Sequence, residues 1–203
     1  MPVTGAVTGR SGCAWMPCSW LSGAVAERAR GAISRRVGAP RLSNPIVLLH
    51  AQSLLRSTPE GATAYLQADL RDPEAILDRA ASLLDFGQPV AVMLPGVLHL
   101  IQDSEDPWDI VARLMAAMPP GSYLTVSHPA IDIHQSQAHA QRVYNERVAT
   151  PQTLRTREQV ARFFVGLELV DPGLVQVHQW RPDPGDSAPE GIVSAHGAVA
   201  RKP

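Results

Sequence analysis

The side chains in this sequence that could do chemistry are few, and most are histidines and acids at predicted strand ends. His99 sits in the apolar string Val97-Leu98-His99-Leu100. It is a candidate general base, although an imidazole on an apolar segment is more often a satisfied buried group. His128 follows the predicted strand Ser122–Ser127. Open α/β sheets bring ligands to that end of a strand, so a site role stands beside that of a surface-loop histidine. Asp69 closes the short apolar run 63–68, where an acid commonly serves a turn or the next helix. His134 and His139 have no carboxylate or cysteine partners at ligand spacing, and Cys13-x4-Cys18 lacks a nearby histidine pair. No metal site is expected. Ser11, in Gly9-Arg10-Ser11-Gly12, lacks the G-x-S-x-G pattern of a hydrolase elbow.

Alternating helices and strands must position these groups. Asn44-Pro45, Asp72-Pro73 and Asp106-Pro107 each place an N-cap residue before a proline. The cap accepts from orphan first-turn N–H groups, and the proline has no N–H to lose. Apolar residues at helical spacing follow each pair: Ile46, Val47 and Leu49; Ile76, Leu77, Ala80, Leu83 and Leu84; Ile110, Val111, Leu114 and Met118. Strands are predicted over 63–68, 89–94 and 122–127, the second almost continuously apolar, as if covered on both faces. This alternation predicts parallel crossovers and a doubly wound α/β sheet with helices on both faces. Further along, 131–148 is polar and reads as an exposed helix. Thr156-x-x-Gln159 is a capping box, with Val160, Phe163 and Phe164 on one face. Residues 167–170, 174–180 and 191–200 read as late strands, the last kinked at Gly197. Their pairing is expected to be antiparallel, at the sheet's edge.

Composition removes several classes of function. The 203 residues carry a net charge of −1 and are 45% hydrophobic, which is ordinary for a soluble globule. No basic surplus points to nucleic acid or to an anionic membrane. No apolar stretch is long enough to span a bilayer. With both cysteines in the first twenty residues, no disulfide framework is expected and the body reads as cytoplasmic. Residues 1–43 are rich in Ala, Gly, Arg and Ser and read as a weakly structured segment apart from a domain over 44–203. A secretory signal is the weaker reading, because Pro17, Ser19, Ser22 and Gly23 break the apolar stretch.

Longer strings carry a resemblance. They are Asn44-Pro45-Ile46-Val47-Leu48-Leu49-His50-Ala51, Asp69-Leu70-Arg71-Asp72-Pro73, Pro120-Gly121-Ser122-Tyr123-Leu124, and Leu154-Arg155-Thr156-Arg157-Glu158 running on to Trp180-Arg181-Pro182. From about residue 44 to the end, the sequence resembles the S-adenosylmethionine-dependent methyltransferases of actinomycetes. The resemblance implies a Rossmann-like sheet of seven strands, the last antiparallel, with S-adenosylmethionine across the carboxyl ends. It places Asp69 and Leu70 at the adenine. It places Leu94-Pro95-Gly96 beneath the methionine and the reacting methyl, with His99 beyond them. The ribose-binding acid would fall on Leu42 or Ser43, neither acidic. No Gly-x-Gly turn after an apolar strand precedes Asn44, so the first strand and its glycine loop are expected to be missing. The resemblance implies a small-molecule cofactor and an unspecified methyl acceptor, with a truncated or replaced N-terminus. A non-catalytic remnant of the same fold is the alternative. A dinucleotide-dependent oxidoreductase would share the sheet but needs a G-x-G-x-x-G turn that is absent.

Overall fold

A computed structural model describes residues 68–203, apart from 83, 187–190 and 192, together with the backbone of two short strands at 36–38 and 63–65. The expected helix after Asn44, the two cysteines, Ser11 and the ribose position at Leu42 or Ser43 lie outside the described residues.

The strands β1 (Arg36–Gly38) and β2 (Thr63–Tyr65) pair in parallel as a two-stranded sheet. The main sheet has five strands. β3 (Ala91–Pro95) runs parallel to β4 (Tyr123–Pro129). β7 (Ala195–Arg201) is antiparallel to β4, and β5 (Glu168–Leu169) and β6 (Val175–Gln176) both pair antiparallel with β7. This is the expected α/β sheet with an antiparallel edge.

Helices α1 (Pro73–Ala81) and α2 (Pro107–Ala116) begin as the sequence predicts. The Asp72 carboxylate accepts from the Ala75 N–H, and that of Asp106 from the Asp109 N–H, each with proline in the first turn. The two helices pack together and bury Ile76, Ile110, Val111 and Leu114 in one cluster with Leu94, Leu124, Val126, Ala198 and Ala200. Both therefore cover the same face of the sheet. On β3 that face is closed at Leu94, whereas Ala91, Met93 and Pro95 are exposed. Among the described residues α1 and α2 supply one layer, and the helix expected after Asn44 lies outside them.

α3 (Gln137–Asn145) is shorter than the polar span that predicted it and buries no residue. α4 (Arg157–Ala161) starts at the expected capping box, with Thr156 and Gln159 bonding each other's backbone. Gly197 does not kink β7: its register with β4 runs unbroken. A Cβ there would lie 2.8 Å from Cγ1 of Val177. Glycine is needed because Val177, just after β6, packs down on the strand.

Candidate functional site

Because β3 and β4 are parallel and β7 opposes them, Pro95, Pro129 and Ala195 lie at one end of the sheet. That is the carboxyl end of the parallel strands, where open α/β sheets receive ligands. The chain leaves β3 through Gly96, at φ +58°, with no atom of the described residues within 4 Å of where a Cβ would stand. Backbone in the left-handed region, uncrowded by them, suits close approach by a ligand. Two 3-10 turns follow, Leu98–Leu100 and Asp103–Glu105, before Asp106 caps α2.

His99 lies on the first turn, half buried, and its Nδ1 is buried without a partner. Burial, helped by the nearby Arg155 charge, pulls its pKa down to about 4, so the ring is neutral at physiological pH. Its ring stands edge-on to His128, with centroids 6.2 Å apart. His128 is fully buried on β4 and stacks on Phe163. Its Nδ1 lies 2.8 Å from the Pro129 carbonyl, and its Nε2 lies 2.8 Å from Nη1 of Arg155. A guanidinium can only donate, so Nε2 accepts and Nδ1 carries the proton. Burial drives the His128 pKa down to about 3; the Pro129 bond opposes this and the Arg155 charge reinforces it.

Asp69 is exposed and receives the backbone N–H of Arg71 at 3.1 Å. Its other partner is the Arg71 guanidinium, which also pairs with Glu105 and reaches the Leu100 carbonyl. Arg71 thereby joins the loop after β2 to the turns after β3, which places Asp69 beside the Gly96–Glu105 segment. Leu70 and Leu94 are buried in the core, and Pro95 is exposed. The structure thus links Asp69 through Arg71 to the turns that follow Gly96 and carry His99, with Leu70 and Leu94 in the core cluster and His128 against the His99 ring. His134 and His139 are both exposed. Among the described residues no group of three potential metal ligands forms, and no helix is long and apolar enough to cross a membrane.

Three groups escaped the sequence reading. Arg155 is fully buried and donates to Leu98, Ile101, Asp103 and His128. His196 is buried, with Nε2 3.1 Å from the Asp132 carboxylate. Burial pushes Asp132 up, but the Arg157 N–H and His196 outweigh it and hold the carboxyl below its usual range. Arg71 bridges two loops. Apart from the Arg71–Asp69 pair, the partners of these side chains lie 27 to 64 residues away, and only folding brings them together.

The architecture is that of a Rossmann-like α/β protein, and this rim of linked turns stands at the carboxyl ends of its parallel strands. A family model described as S-adenosyl methyltransferase matches residues 34–203, and the chain belongs to that family. Among solved structures, it is similar to a DUF574 family protein from Streptomyces avermitilis, with 37% identity and a TM-score of 0.78. That match covers 91% of this chain and 82% of the other. It is also similar to a Thermobifida fusca protein with a provisional methyltransferase assignment, at 32% identity and a TM-score of 0.69. There the match covers 85% of this chain but only 64% of the other. The N-methyltransferase NodS of Bradyrhizobium japonicum, solved with S-adenosyl-L-homocysteine, shares the fold at 12% identity and a TM-score of 0.50, covering 90% of this chain and 74% of that one. No curated protein matches the chain. The family's cofactor is S-adenosylmethionine.

Proposed function

We propose that this chain is a methyltransferase that holds S-adenosylmethionine across the carboxyl ends of β2 and β3. The observation that carries this reading is the rim itself. An exposed carboxylate at Asp69 and a left-handed Gly96 against which no other described residue packs flank one turn, and that turn also carries His99. These residues fit the group: Asp69 would accept from the adenine amine, Leu70 and Leu94 would floor the pocket, and Gly96 would admit the methionine portion. When bound, the cofactor supplies a sulfonium methyl for in-line transfer to a nucleophile. The chain's own part is to align the acceptor and take up or guide its proton. His99 is the better placed of the two candidate histidines, because both ring nitrogens of His128 are engaged.

The grip is expected to be weak. Neither Leu42 nor Ser43 offers an acid for the ribose. A lost charge-assisted hydrogen bond costs about 1.5–3 kcal/mol, and each 1.4 kcal/mol is about tenfold in affinity. The Gly-x-Gly turn that would cradle the methionine tail is also absent before Asn44, and with both losses a micromolar site would move toward millimolar. Isothermal titration with S-adenosylhomocysteine tests the reading. Millimolar binding that weakens a further tenfold in Asp69→Ala supports it. Binding untouched by Asp69→Ala refutes the assigned adenine side. Silence up to saturating millimolar ligand favours the second reading, a non-catalytic module of the same fold, to which the non-acidic Leu42 and Ser43 also point.

A further inference from the structure

A buried guanidinium is costly unless every donor is answered, and a hydrophobic replacement is often more stable. Arg155 is fully buried, and its fork is fully used. Nε donates to Asp103 Oδ1 at 3.1 Å, and Nη2 to the same oxygen at 2.7 Å and to the Ile101 carbonyl at 2.8 Å. Nη1 donates to the Leu98 carbonyl at 3.0 Å and to His128 Nε2 at 2.8 Å. Trp108 and Phe163 flank the guanidinium at 5.3 and 5.8 Å. Three of its four partners belong to the 98–103 segment, which is built from short 3-10 turns. Such turns have poor hydrogen-bond geometry of their own. Neighbouring residues add to the hold: the Thr153 N–H reaches the His99 carbonyl at 2.7 Å, and the Thr153 hydroxyl bonds Gln102. The backbone of Arg155 is itself fixed to the end of β4, through Pro129 and Ile131.

We infer that Arg155 is the positioning residue of the methyl-transfer rim. Its five N–H groups lock the turn that presents His99 to the methyl acceptor, and they fix the tautomer of His128 behind it. The inference rests on the methyltransferase reading for what His99 faces, but the lock itself is a property of this chain alone. Arginine is required because its planar fork reaches two carbonyls, a carboxylate and an imidazole at once; a lysine ammonium has three donors and no fork. The low pKa of His99, to which the Arg155 charge contributes, is in keeping with this arrangement.

The test is long-range ¹H–¹⁵N spectroscopy of the histidine rings in the full chain labelled at histidine, with His99→Asn and His128→Gln for assignment. The wild type should show His128 as a single Nδ1–H tautomer between pH 5 and 8. Arg155→Lys should lose that single tautomer and broaden or shift the His99 signals, which a residue of merely structural role would not do. Arg155→Lys could fail to fold, so Asp103→Ala removes the exposed anchor of the same fork. It should produce the same changes in weaker form. A wild-type His128 in the Nε2–H form, or wild-type ring signals in both variants, overturns the lock. Adding S-adenosylhomocysteine to the wild type should move the His99 signals, and less so in Arg155→Lys. Bound ligand that leaves His99 unmoved overturns the placement of His99 at the rim. Failure to bind ligand with the expected ring signals refutes the methyltransferase reading and leaves the lock standing.

Discussion

Acidification should destabilise this protein well before its carboxylates titrate. In the folded chain, burial and the Arg155 charge hold the pKa of His99 at about 4 and that of His128 at about 3. In the unfolded chain both return to about 6.5. Below that pH the unfolded state binds protons that the folded state refuses, so stability falls as pH falls. It is undiminished above about pH 6.5 and declines continuously until the folded pKa values are reached. From pH 6.5 to 5 each imidazole costs about 2 kcal/mol, at 1.36 kcal/mol per unit, or about 4 kcal/mol together. For a chain of this size that lowers Tm by about 8–16 °C. The carboxyls of Glu74 and Asp132, held below their usual range, stay ionised across that window. They add their own loss only at lower pH.

Thermal unfolding followed by circular dichroism, at constant ionic strength between pH 7.5 and 5.0, measures the effect. His99→Asn should remove about half of the pH slope between 6.5 and 5, because one of the two reluctant imidazoles is gone. A Tm constant to within about 2 °C over this range would refute the argument that both rings are buried neutral. A steep slope unchanged in His99→Asn would place the responsible groups elsewhere.

Three other substitutions probe the frame around the site. Gly197→Ala drives a Cβ to 2.8 Å from Val177 Cγ1 and 3.5 Å from the Val126 carbonyl. It should cost about 1–3 kcal/mol in urea unfolding, part of it recovered by Val177→Ala. Thr156→Ala removes the α4 cap and should cost about 1 kcal/mol, seen as a lower urea midpoint with unchanged m. The exposed row Ala91, Met93 and Pro95 carries no charge, and such apolar surface invites self-association. Sedimentation should show association by the wild type that Met93→Lys reduces, whereas a wild type monomeric at all concentrations would count against it.

Much of the frame was legible because its causes are local. An aspartate before a proline announces a helix start from two residues, and both described examples begin where that chemistry places them. The Thr156–Gln159 box and the strands at 91–95 and 123–129 are legible for the same reason. Where the cause is tertiary, the sequence misleads. Gly197 reads as a kink, yet it is an opening for Val177, which lies twenty residues earlier in the chain.

The site divides along the same line. Asp69, Gly96 and His99 could be marked because the resemblance to the methyltransferase family places them at the rim, each following an apolar run. The groups that fix their chemistry could not. Arg155 lies in a charged string before a helix cap, where any arginine would be read as solvated, and it is the largest fully buried side chain described. Its partners at 98, 101, 103 and 128 are 27 to 57 residues away, and no period connects them. The protonation state of the two histidines depends on that arginine and on burial, and so does the orientation of the turn between β3 and α2. What the strand ends display is set by a residue that the strand pattern does not contain. Substitutions at Arg155 should therefore disturb the rim more than substitutions at the rim disturb each other.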